Sequence, residues 1–463
     1  MRRLRPQAGG LVTEDGLKYR LLVVPDLGRA TPETLAQLRD LVKQGAAVLL
    51  GKRPERSPSL AGYPNCDQQV EAVSKELWGE ASTPARGRQL GDGRVFRGVS
   101  IGEALSALGT APDVKFRGPA ASQISWVHRS LDDGEAYFVA NGSDETIKVD
   151  AVFRVKDLEP ELADPVQNRL VRTGIWRREG NRTLVPLTLG PSGSVFVIFL
   201  RAQKPVDPVV EVKCGGQPVA GIEVTVAKGE RFALATPQPC DYELKTAAGR
   251  MIKVSVDKAP KPIVIEGAWD VRFPPEWGAP ERVTFNKLSS WTERPEEGIK
   301  HFSGTAEYRR HITVPAEMIG PDKAVWLDLG DVQIMAEVFV NGKPAGTLWC
   351  KPFRTDVTKL LVAVDNELVI RVTNLWANRL IGDEQLPGDV PRAAPTSGPY
   401  DKGTAGALQW PPWVLEGKRH SPSGRYTFSA TRFFTKDSAL LPSGLLGPVR
   451  LKAERIVLFS LVD

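Results

Sequence analysis

The residues best suited to chemistry lie in one stretch, residues 374–387, where ring-bearing and polar side chains are interspersed with aliphatic ones. Aromatic rings stack on the apolar C–H faces of sugars, and Asn, Asp, Arg and Glu side chains hydrogen-bond the hydroxyl groups. Two further rings follow in a proline-rich segment. We interpret seven residues as candidates for carbohydrate binding or for docking a catalytic domain: Trp376, Asn378, Arg379, Asp383, Glu384, Trp410 and Trp413.

The same stretch has a structural interpretation, in which Trp376 packs in a core and Arg379 pairs with Asp383 to brace a long loop. If the segment is extended, adjacent side chains point to opposite faces. Asp383 and Glu384 then cannot flank one glycosidic bond, which is what two catalytic carboxylates must do.

The stretch is expected to be an irregular loop, because no strand pattern returns between Pro387 and about Trp413. Long loops that persist in compact domains are often functional. We expect this loop to leave an exposed apolar patch made by Trp376, Leu380 and Ile381.

Other catalytic patterns are weak, so no catalytic residue is predicted. Cys66 begins a helix but lacks the preceding strand that a nucleophilic cysteine on a sharp turn needs. No G-x-S-x-G motif occurs, and the turn at residues 25–29 lacks the glycines of a phosphate loop. Three carboxylates lie in a polar loop without an anchoring pattern: Glu293, Glu296 and Glu297. Four histidines show no metal-ligand spacing, so no metal site is named: His128, His301, His311 and His420.

The composition indicates a globular protein of about three domains at 463 residues. The net charge of +6 is spread along the chain without a Lys/Arg block and interleaved aromatics, so we expect no nucleic-acid partner. No apolar run is long enough for a membrane span or a signal peptide, and the compartment is left open. The cysteines form no CxxC pair. Cys214 and Cys240 flank one small β segment and could bridge, but we expect free thiols.

An α/β pattern extends from residue 18 to about residue 118. A strand at 18–24 precedes a helix that is capped by Thr31 and ends at Gly45, and a buried strand follows at 46–50. Further helices are predicted near 67–78 and after Ser100. A strand, a helix and a strand at this spacing predict a parallel sheet of the flavodoxin type.

Alternating strands replace this pattern from residue 124, and proline-rich linkers lie at 204–208 and 258–262. We predict a mainly β, multi-domain fold with four parts: an α/β domain at 1–120, a β-sandwich at 121–203, a small all-β domain at 204–260 and a β domain at 261–463. The first part resembles a degenerate amidotransferase-like domain, and the last resembles a galactose-binding-like jelly roll. Eight of the eleven Trp residues lie in the last part, which is therefore the candidate ligand-binding domain.

An ordered set of segments resembles the glycoside hydrolase family 106 α-L-rhamnosidases. In the first region the segments are 19–26, 31–35 and 57–64; in the last they are 302–309, 378–383 and 440–449. Residues 374–387, together with 340–343 and 348–354, resemble the sugar-binding jelly-roll module at the C-terminus of large glycoside hydrolases.

The resemblance implies that this chain is the C-terminal half of such an enzyme. The family's acid and base carboxylates come from a (β/α)₈ barrel, N-terminal to everything matched here, and no position of this chain matches them. The implied partners are carbohydrate and that barrel, in cis or on a separate chain. The resemblance also implies calcium in the parent enzyme, none assigned to this chain, and parent enzymes that are periplasmic or secreted.

Three functional hypotheses follow. The chain is the non-catalytic portion of a glycoside hydrolase that acts on plant or bacterial polysaccharide, a free-standing carbohydrate-binding or scaffold protein, or a self-contained enzyme with an unrecognised site. The sequence leaves open the sugar, the linkage and the oligomeric state.

Overall fold

The computed structural model describes residues 4–7, 10–79, 85–202, 204–219, 221–227, 231–393 and 406–460. Contacts divide the chain into two compact units, Met1–Asp113 and Val114–Asp463. Strands account for most of the regular structure, which confirms the predicted mainly β, multi-domain fold class with an α/β region at its N-terminal end. The finer division at residues 120, 203 and 260 stays a prediction.

The first unit has three helices and two small sheets. Its elements are β1 (Leu4–Gln7), β2 (Gly10–Thr13), β3 (Lys18–Tyr19), β4 (Leu22–Val24), α1 (Pro32–Lys43), β5 (Ala47–Leu50), α2 (Asn65–Trp78), β6 (Ala85–Leu90), β7 (Gly93–Arg97) and α3 (Ile101–Ala107). The main sheet has the order β4-β5-β7-β6. Strands β4, β5 and β7 are parallel, as predicted, and β6 is antiparallel to β7.

Helix α1 forms where the sequence places its signals. The Thr31 hydroxyl accepts a hydrogen bond from the Thr34 N–H, and Pro32 occupies the first turn. Leu35, Leu38 and Val42 are spaced to share one face and are almost completely buried. Helix α1 and strands β4 and β5 thus form the predicted strand, helix and strand.

The second unit begins with a two-sheet sandwich. Its strands are β8 (Val114–Arg117), β9 (Ile124–Ser130), β10 (Gly134–Asn141), β11 (Ile147–Phe153), β12 (Glu159–Asp164), β13 (Arg169–Arg172), β14 (Arg177–Glu179), β15 (Arg182–Leu189) and β16 (Ser194–Leu200). The sheet orders are β13-β12-β16-β10-β9 and β14-β15-β11-β8. Tyr137, Phe153 and Phe199 meet edge to face in the core between them.

The next six strands form a small β region. They are β17 (Val209–Cys214), β18 (Gln217–Pro218), β19 (Glu223–Val226), β20 (Phe232–Thr236), β21 (Cys240–Thr246) and β22 (Met251–Val256). Cys214 and Cys240 are joined by a disulfide, so the expectation of two free thiols is wrong. Antiparallel pairing of β17 with β21 sets the two Cα atoms 6.0 Å apart, which lies within the range a disulfide spans.

The remaining elements are β23 (Ile263–Val264), β24 (Trp269–Arg272), β25 (Arg282–Phe285), α4 (Glu297–Lys300), β26 (Thr305–Val314), β27 (Lys323–Asp328), β28 (Asp331–Gln333), β29 (Met335–Val340), β30 (Lys343–Leu348), β31 (Arg354–Asp356), β32 (Val364–Thr373), α5 (Ala377–Asp383), α6 (Pro412–Leu415), β33 (Gly444–Gly447) and β34 (Arg450–Phe459). One six-stranded sheet has the order β25-β24-β26-β32-β29-β30. Strand β34 lies in a second sheet, between β20 and β27, so that sheet includes strands from both sides of the 258–262 linker.

Both of these sheets contribute to one large hydrophobic core, which includes Trp269, Phe285, Tyr308, Leu327 and Ile370. The segment that carries the candidate site follows β32 directly. Its geometry is therefore set by the end of a central, fully paired strand.

Candidate functional site

The candidate segment is helical where an irregular loop was expected. Helix α5 spans Ala377–Asp383, and its first hydrogen bond runs from the Leu380 N–H to the Trp376 carbonyl at 3.1 Å. Arg, Leu and Ala favour a helix. The helix turns residues four apart to the same side, so Arg379 and Asp383 meet. The extended geometry assumed for the segment is wrong.

Arg379 and Asp383 form a buried ion pair. Arg379 Nε lies 3.1 Å from Asp383 Oδ1, with side chains only 7% and 1% exposed. The angle is poor for a hydrogen bond, and neither atom has another hydrogen-bond partner among the described residues. Oδ2 instead accepts from the Tyr426 N–H at 2.9 Å and from Thr427, through its N–H at 2.6 Å and its hydroxyl at 2.7 Å. Asp383 thus ties α5 to residues 426–427, as the structural interpretation expected of this pair.

Two asparagines fix the rest of the segment. Asn378 is 1% exposed. Its amide donates to the Leu441 carbonyl at 2.7 Å and to Ser443 Oγ at 2.9 Å, and its oxygen accepts from the Leu441 N–H at 2.8 Å. Asn374 bonds the Phe302 carbonyl, Ser443 Oγ and the Gly304 N–H. These side chains are therefore occupied by the protein itself.

Glu384 is held by two arginines. Its Oε1 accepts from Arg425 Nη2 at 2.6 Å and its Oε2 from Arg432 Nε at 2.7 Å. These residues line a cavity of about 310 Å³ together with Arg392. Burial lowers the pKa of Arg392, with Arg425 and Arg432 acting in the same direction and Glu384 opposing them. We name Asn374, Asn378, Arg379, Asp383 and Glu384 the polar frame.

The three candidate tryptophans have different environments. Trp376 and Trp410 are 54% and 59% exposed, whereas Trp413 is 6% exposed and donates from Nε1 to Asp389 Oδ2 at 2.9 Å. The structural interpretation of Trp376 as a core residue is therefore wrong. The exposed patch was also misassigned, because Leu380 is only partly exposed and Ile381 is buried.

Each exposed ring packs against another aromatic ring. Trp376 meets Trp277 edge to face, with ring centroids 6.2 Å apart, and Trp277 meets Tyr426 at 5.7 Å. Trp410 lies 5.2 Å from Phe428. Such contacts hold an exposed ring in one orientation, which suits it to stacking. We name Trp376 and Trp410 the aromatic rim.

The partners of the polar frame were not found from the sequence. Ser303, Arg425, Thr427, Leu441 and Ser443 lie 41 to 76 positions from the frame residues they contact. No local motif marks them. The mixture of Ser, Arg and Tyr in residues 421–427 is the one compositional sign that this stretch contains polar contacts.

The remaining sequence candidates lie apart from any catalytic arrangement. Cys66 Sγ lies 3.9 Å from the Ser59 carbonyl and 3.8 Å from Asp67 Oδ1, with no histidine bonded to it. Glu296 is bonded to Arg294, which lowers its pKa. Glu297 is exposed and pairs with His301.

Calcium, which the family resemblance implies for the parent enzyme, finds no fitting side-chain cluster in the described ranges. Nowhere in them do three or more His, Cys, Asp or Glu side chains come together as metal ligands. The carboxylates of the polar frame are already bonded to arginine or to backbone N–H groups.

None of the described helices has the length and apolar character needed to cross a bilayer.

Three comparisons with known proteins show what this chain is similar to. The model of glycoside hydrolase family 106, described as alpha-L-rhamnosidase, matches residues 1–173. A protein of Formosa agariphila named "Putative beta-glucuronidase" is 27% identical and is matched by 96% of this chain. The structure of a rhamnosidase from Novosphingobium sp. PP1Y is 28% identical, with a TM-score of 0.64 over 98% of this chain.

The chain spans 51% of the Formosa protein and 35% of the Novosphingobium chain. The chain is therefore similar to glycoside hydrolase family 106 over its first 173 residues, and to a rhamnosidase structure along nearly its whole length.

Proposed function

We propose that this chain is the non-catalytic C-terminal portion of an α-L-rhamnosidase-like glycoside hydrolase. In this role it supports a (β/α)₈ catalytic barrel and presents the edge at α5 to that barrel or to the carbohydrate. One observation carries the proposal: a rhamnosidase structure is matched by 98% of this chain, yet the described residues form no barrel of eight parallel strands.

The state of the carboxylates supports a non-catalytic role. A glycosidase needs two carboxyl groups that face one glycosidic bond, about 5–10 Å apart. Asp383 and Glu384, the pair nearest to the exposed rings, are bonded to Arg379, Arg425, Arg432 and the backbone. Carboxylates that are occupied by such partners are not free to face a glycosidic bond.

The aromatic rim supports a docking or binding role. Trp376 and Trp410 expose more than half of their surface, and Leu375 beside Trp376 is 51% exposed. Exposed aromatic and aliphatic side chains on a rigid base are typical of interaction sites. The polar frame holds the backbone at this edge in place. Little conformational entropy would therefore be lost on binding.

Complementation tests this function. A polypeptide that carries the family's barrel is purified, and its binding to this chain and its turnover of an aryl α-L-rhamnoside are measured. We expect binding to weaken by about thirtyfold or more in the Trp376→Ala, Trp410→Ala double variant, because loss of even one tryptophan that contributes about 2 kcal/mol at an interface centre has that effect.

Trp126→Ala is the matched control, since Trp126 is 39% exposed on β9 of the sandwich. It should leave binding unchanged. Equal binding by the wild type and the rim double variant would contradict the docking role. Binding of carbohydrate without any effect on the barrel would favour the free-standing carbohydrate-binding protein.

A further inference from the structure

A second feature, separate from the edge at α5, is a large cleft within the second unit. Its volume is about 960 Å³, and its walls come from the sandwich, from β17 and β19, and from the sheet that contains β34. This volume lies at the upper end of the range of about 300–1,000 Å³ that is usual for small-molecule sites. It suits an oligosaccharide better than a single sugar.

The walls of the cleft are fixed to each other by contacts between the sandwich and the small β region. Arg169 on β13 donates hydrogen bonds from both of its terminal guanidinium nitrogens to the carboxylate of Glu223 on β19. The distance from Nη1 to Oε2 is 3.0 Å. A bridge between Thr173 and Thr225 joins the same two regions. The cleft is thus preformed, which lowers the entropy lost when a ligand binds.

One edge of the cleft is the connection from β30 to β31, residues 349–353, which lies within one of the segments that the sequence singled out. Trp349 lines the cavity and is 59% exposed. The loop packs on the sandwich so closely that a Cβ on Gly190 would lie 3.2 Å from Pro352 Cδ. The Trp349 ring is therefore exposed on a firmly seated loop.

A carboxyl group also lines the cleft. Glu454 on β34 accepts a hydrogen bond at Oε2 from Trp326 Nε1, 3.2 Å away, and no described residue donates to its Oε1. Burial raises the pKa of Glu454; the nearby Glu223 charge adds to this, while the Trp326 hydrogen bond, Arg354 and Arg169 oppose it. The carboxyl thus has one oxygen free for a ligand and is partly withdrawn from water.

The charges of the cleft indicate which sugars it suits. Among the described lining residues, six carboxylates outnumber five cations: Asp150, Asp164, Glu211, Glu223, Asp328 and Glu454 against Arg169, Arg177, Lys351, Arg354 and Lys452. Arg169 is paired with Glu223, and Lys452 with Asp328 at 2.5 Å. The lining therefore has no excess of positive charge to attract a carboxylate or sulfate. A neutral ligand that needs a ring to stack on and acceptors for its hydroxyls fits these walls best.

We propose that this cleft is a binding site for a neutral oligosaccharide, with Trp349 stacked on one sugar ring and the Glu454 carboxyl hydrogen-bonded to sugar hydroxyls. This site does not depend on barrel docking at the aromatic rim. It makes the chain a carbohydrate-binding module in its own right.

Calorimetric titration of the purified full chain tests the proposal. The ligands are a rhamnose-terminated neutral trisaccharide and a glucuronate-terminated trisaccharide of equal length. We expect binding of the neutral ligand, weaker binding of the anionic one, and about tenfold weaker binding of the neutral ligand by Trp349→Ala, since a stacked ring contributes about 0.5–1.5 kcal/mol beyond area burial. Trp349→Phe keeps a ring and should retain most of the affinity.

Trp126→Ala is the matched control, because Trp126 is 39% exposed on β9 and does not line the cleft. It should leave trisaccharide binding unchanged. Docking of the barrel is measured separately with the rim double variant, so failure of one proposal is distinguishable from failure of the other. The inference is overturned if neither trisaccharide gives heat beyond dilution. It is equally overturned if Trp349→Ala binds as the wild type does, or if both Trp variants lose binding to the same extent.

Discussion

The polar frame and the aromatic rim share one edge of the last region, yet they differ in almost every physical respect. The side chains of the frame are nearly inaccessible to solvent and bond to the protein, whereas the rings of the rim expose more than half of their surface. In the sequence both groups look like sugar ligands. In the structure only the rim is free to contact another molecule.

The contrast shows that residue type alone does not identify a binding site. Asn, Asp, Arg and Glu suit sugar hydroxyls, but they equally suit backbone groups left unpaired where a strand gives way to a helix. Asp383 bonds two N–H groups and one hydroxyl in this way. Mutations should separate the two groups by stability and by binding.

The largest expected effect is on stability, in Asp383→Ala. Removal of this carboxylate leaves the Arg379 guanidinium buried without its charge partner and frees two backbone N–H groups. Breaking a buried pair costs about 3–5 kcal/mol, and we expect a loss of that size in the free energy of unfolding by urea. Asp365→Ala is the control, because Asp365 pairs with His311 at the surface and should cost at most about 1 kcal/mol. If Asp383→Ala and Asp365→Ala lower the free energy of unfolding by similar amounts, the buried pair would stabilise the fold no more than an ion pair at the surface does.

Trp413→Ala should follow, at about 3 kcal/mol, because a buried ring is lost and Asp389 loses its indole donor. Trp410→Ala, three positions away and exposed, should cost less than about 1 kcal/mol. Thermal unfolding of the two variants side by side measures the difference. The assignment of Trp410 to the rim fails if its variant is the less stable of the two.

Asn378→Ala should cost about 2 kcal/mol, because the Leu441 N–H and carbonyl lose their partner in a buried place. The exposed Asn286 provides the control, and Asn286→Ala should change stability by less than about 0.5 kcal/mol. Urea unfolding of both variants gives the comparison. An Asn378 variant as stable as the control would mean that water replaces the lost amide.

The smallest effect concerns pH. Burial lowers the pKa of His301, and Arg379 acts in the same direction, while Glu297 opposes them. In the unfolded chain a histidine titrates near pH 6.5. Above that pH the ring is neutral in both states, so its burial does not lower the free energy of unfolding. As the pH falls below about 6.5, the unfolded state takes up a proton more readily, and stability is lost until the folded pKa is passed.

The change in stability between pH 7 and pH 5 should therefore be smaller in His301→Gln than in the wild type. His311→Gln, which removes an exposed histidine, is measured in parallel as the control for the substitution itself. If the free energy of unfolding changes with pH identically in the wild type and in His301→Gln, burial of this ring does not contribute to the pH dependence of stability.

Local signals predicted the regions where they are strong. The Thr31 cap and the buried stripe of α1 predicted both the helix and its parallel strands. The candidate site was predicted only in part. Trp376 and Trp410 are exposed and suited to binding, but helix α5 was missed because only seven residues carry its pattern. The partners of Asp383 are more than 40 positions away along the chain, so no local residue spacing could predict these contacts. The cleft was not predicted, since its walls come from segments far apart in the chain.

The most direct test of the central claim is an assay of the purified chain alone with aryl α-L-rhamnoside, aryl β-galactoside and aryl β-glucoside. We expect no turnover above the blank with any of them, because the described residues form no barrel of eight parallel strands, the part expected to carry the acid and base carboxylates. Turnover that disappears when a carboxyl group lining the cleft is replaced, as in Glu454→Gln or Glu223→Gln, would contradict the account and make this chain a self-contained enzyme.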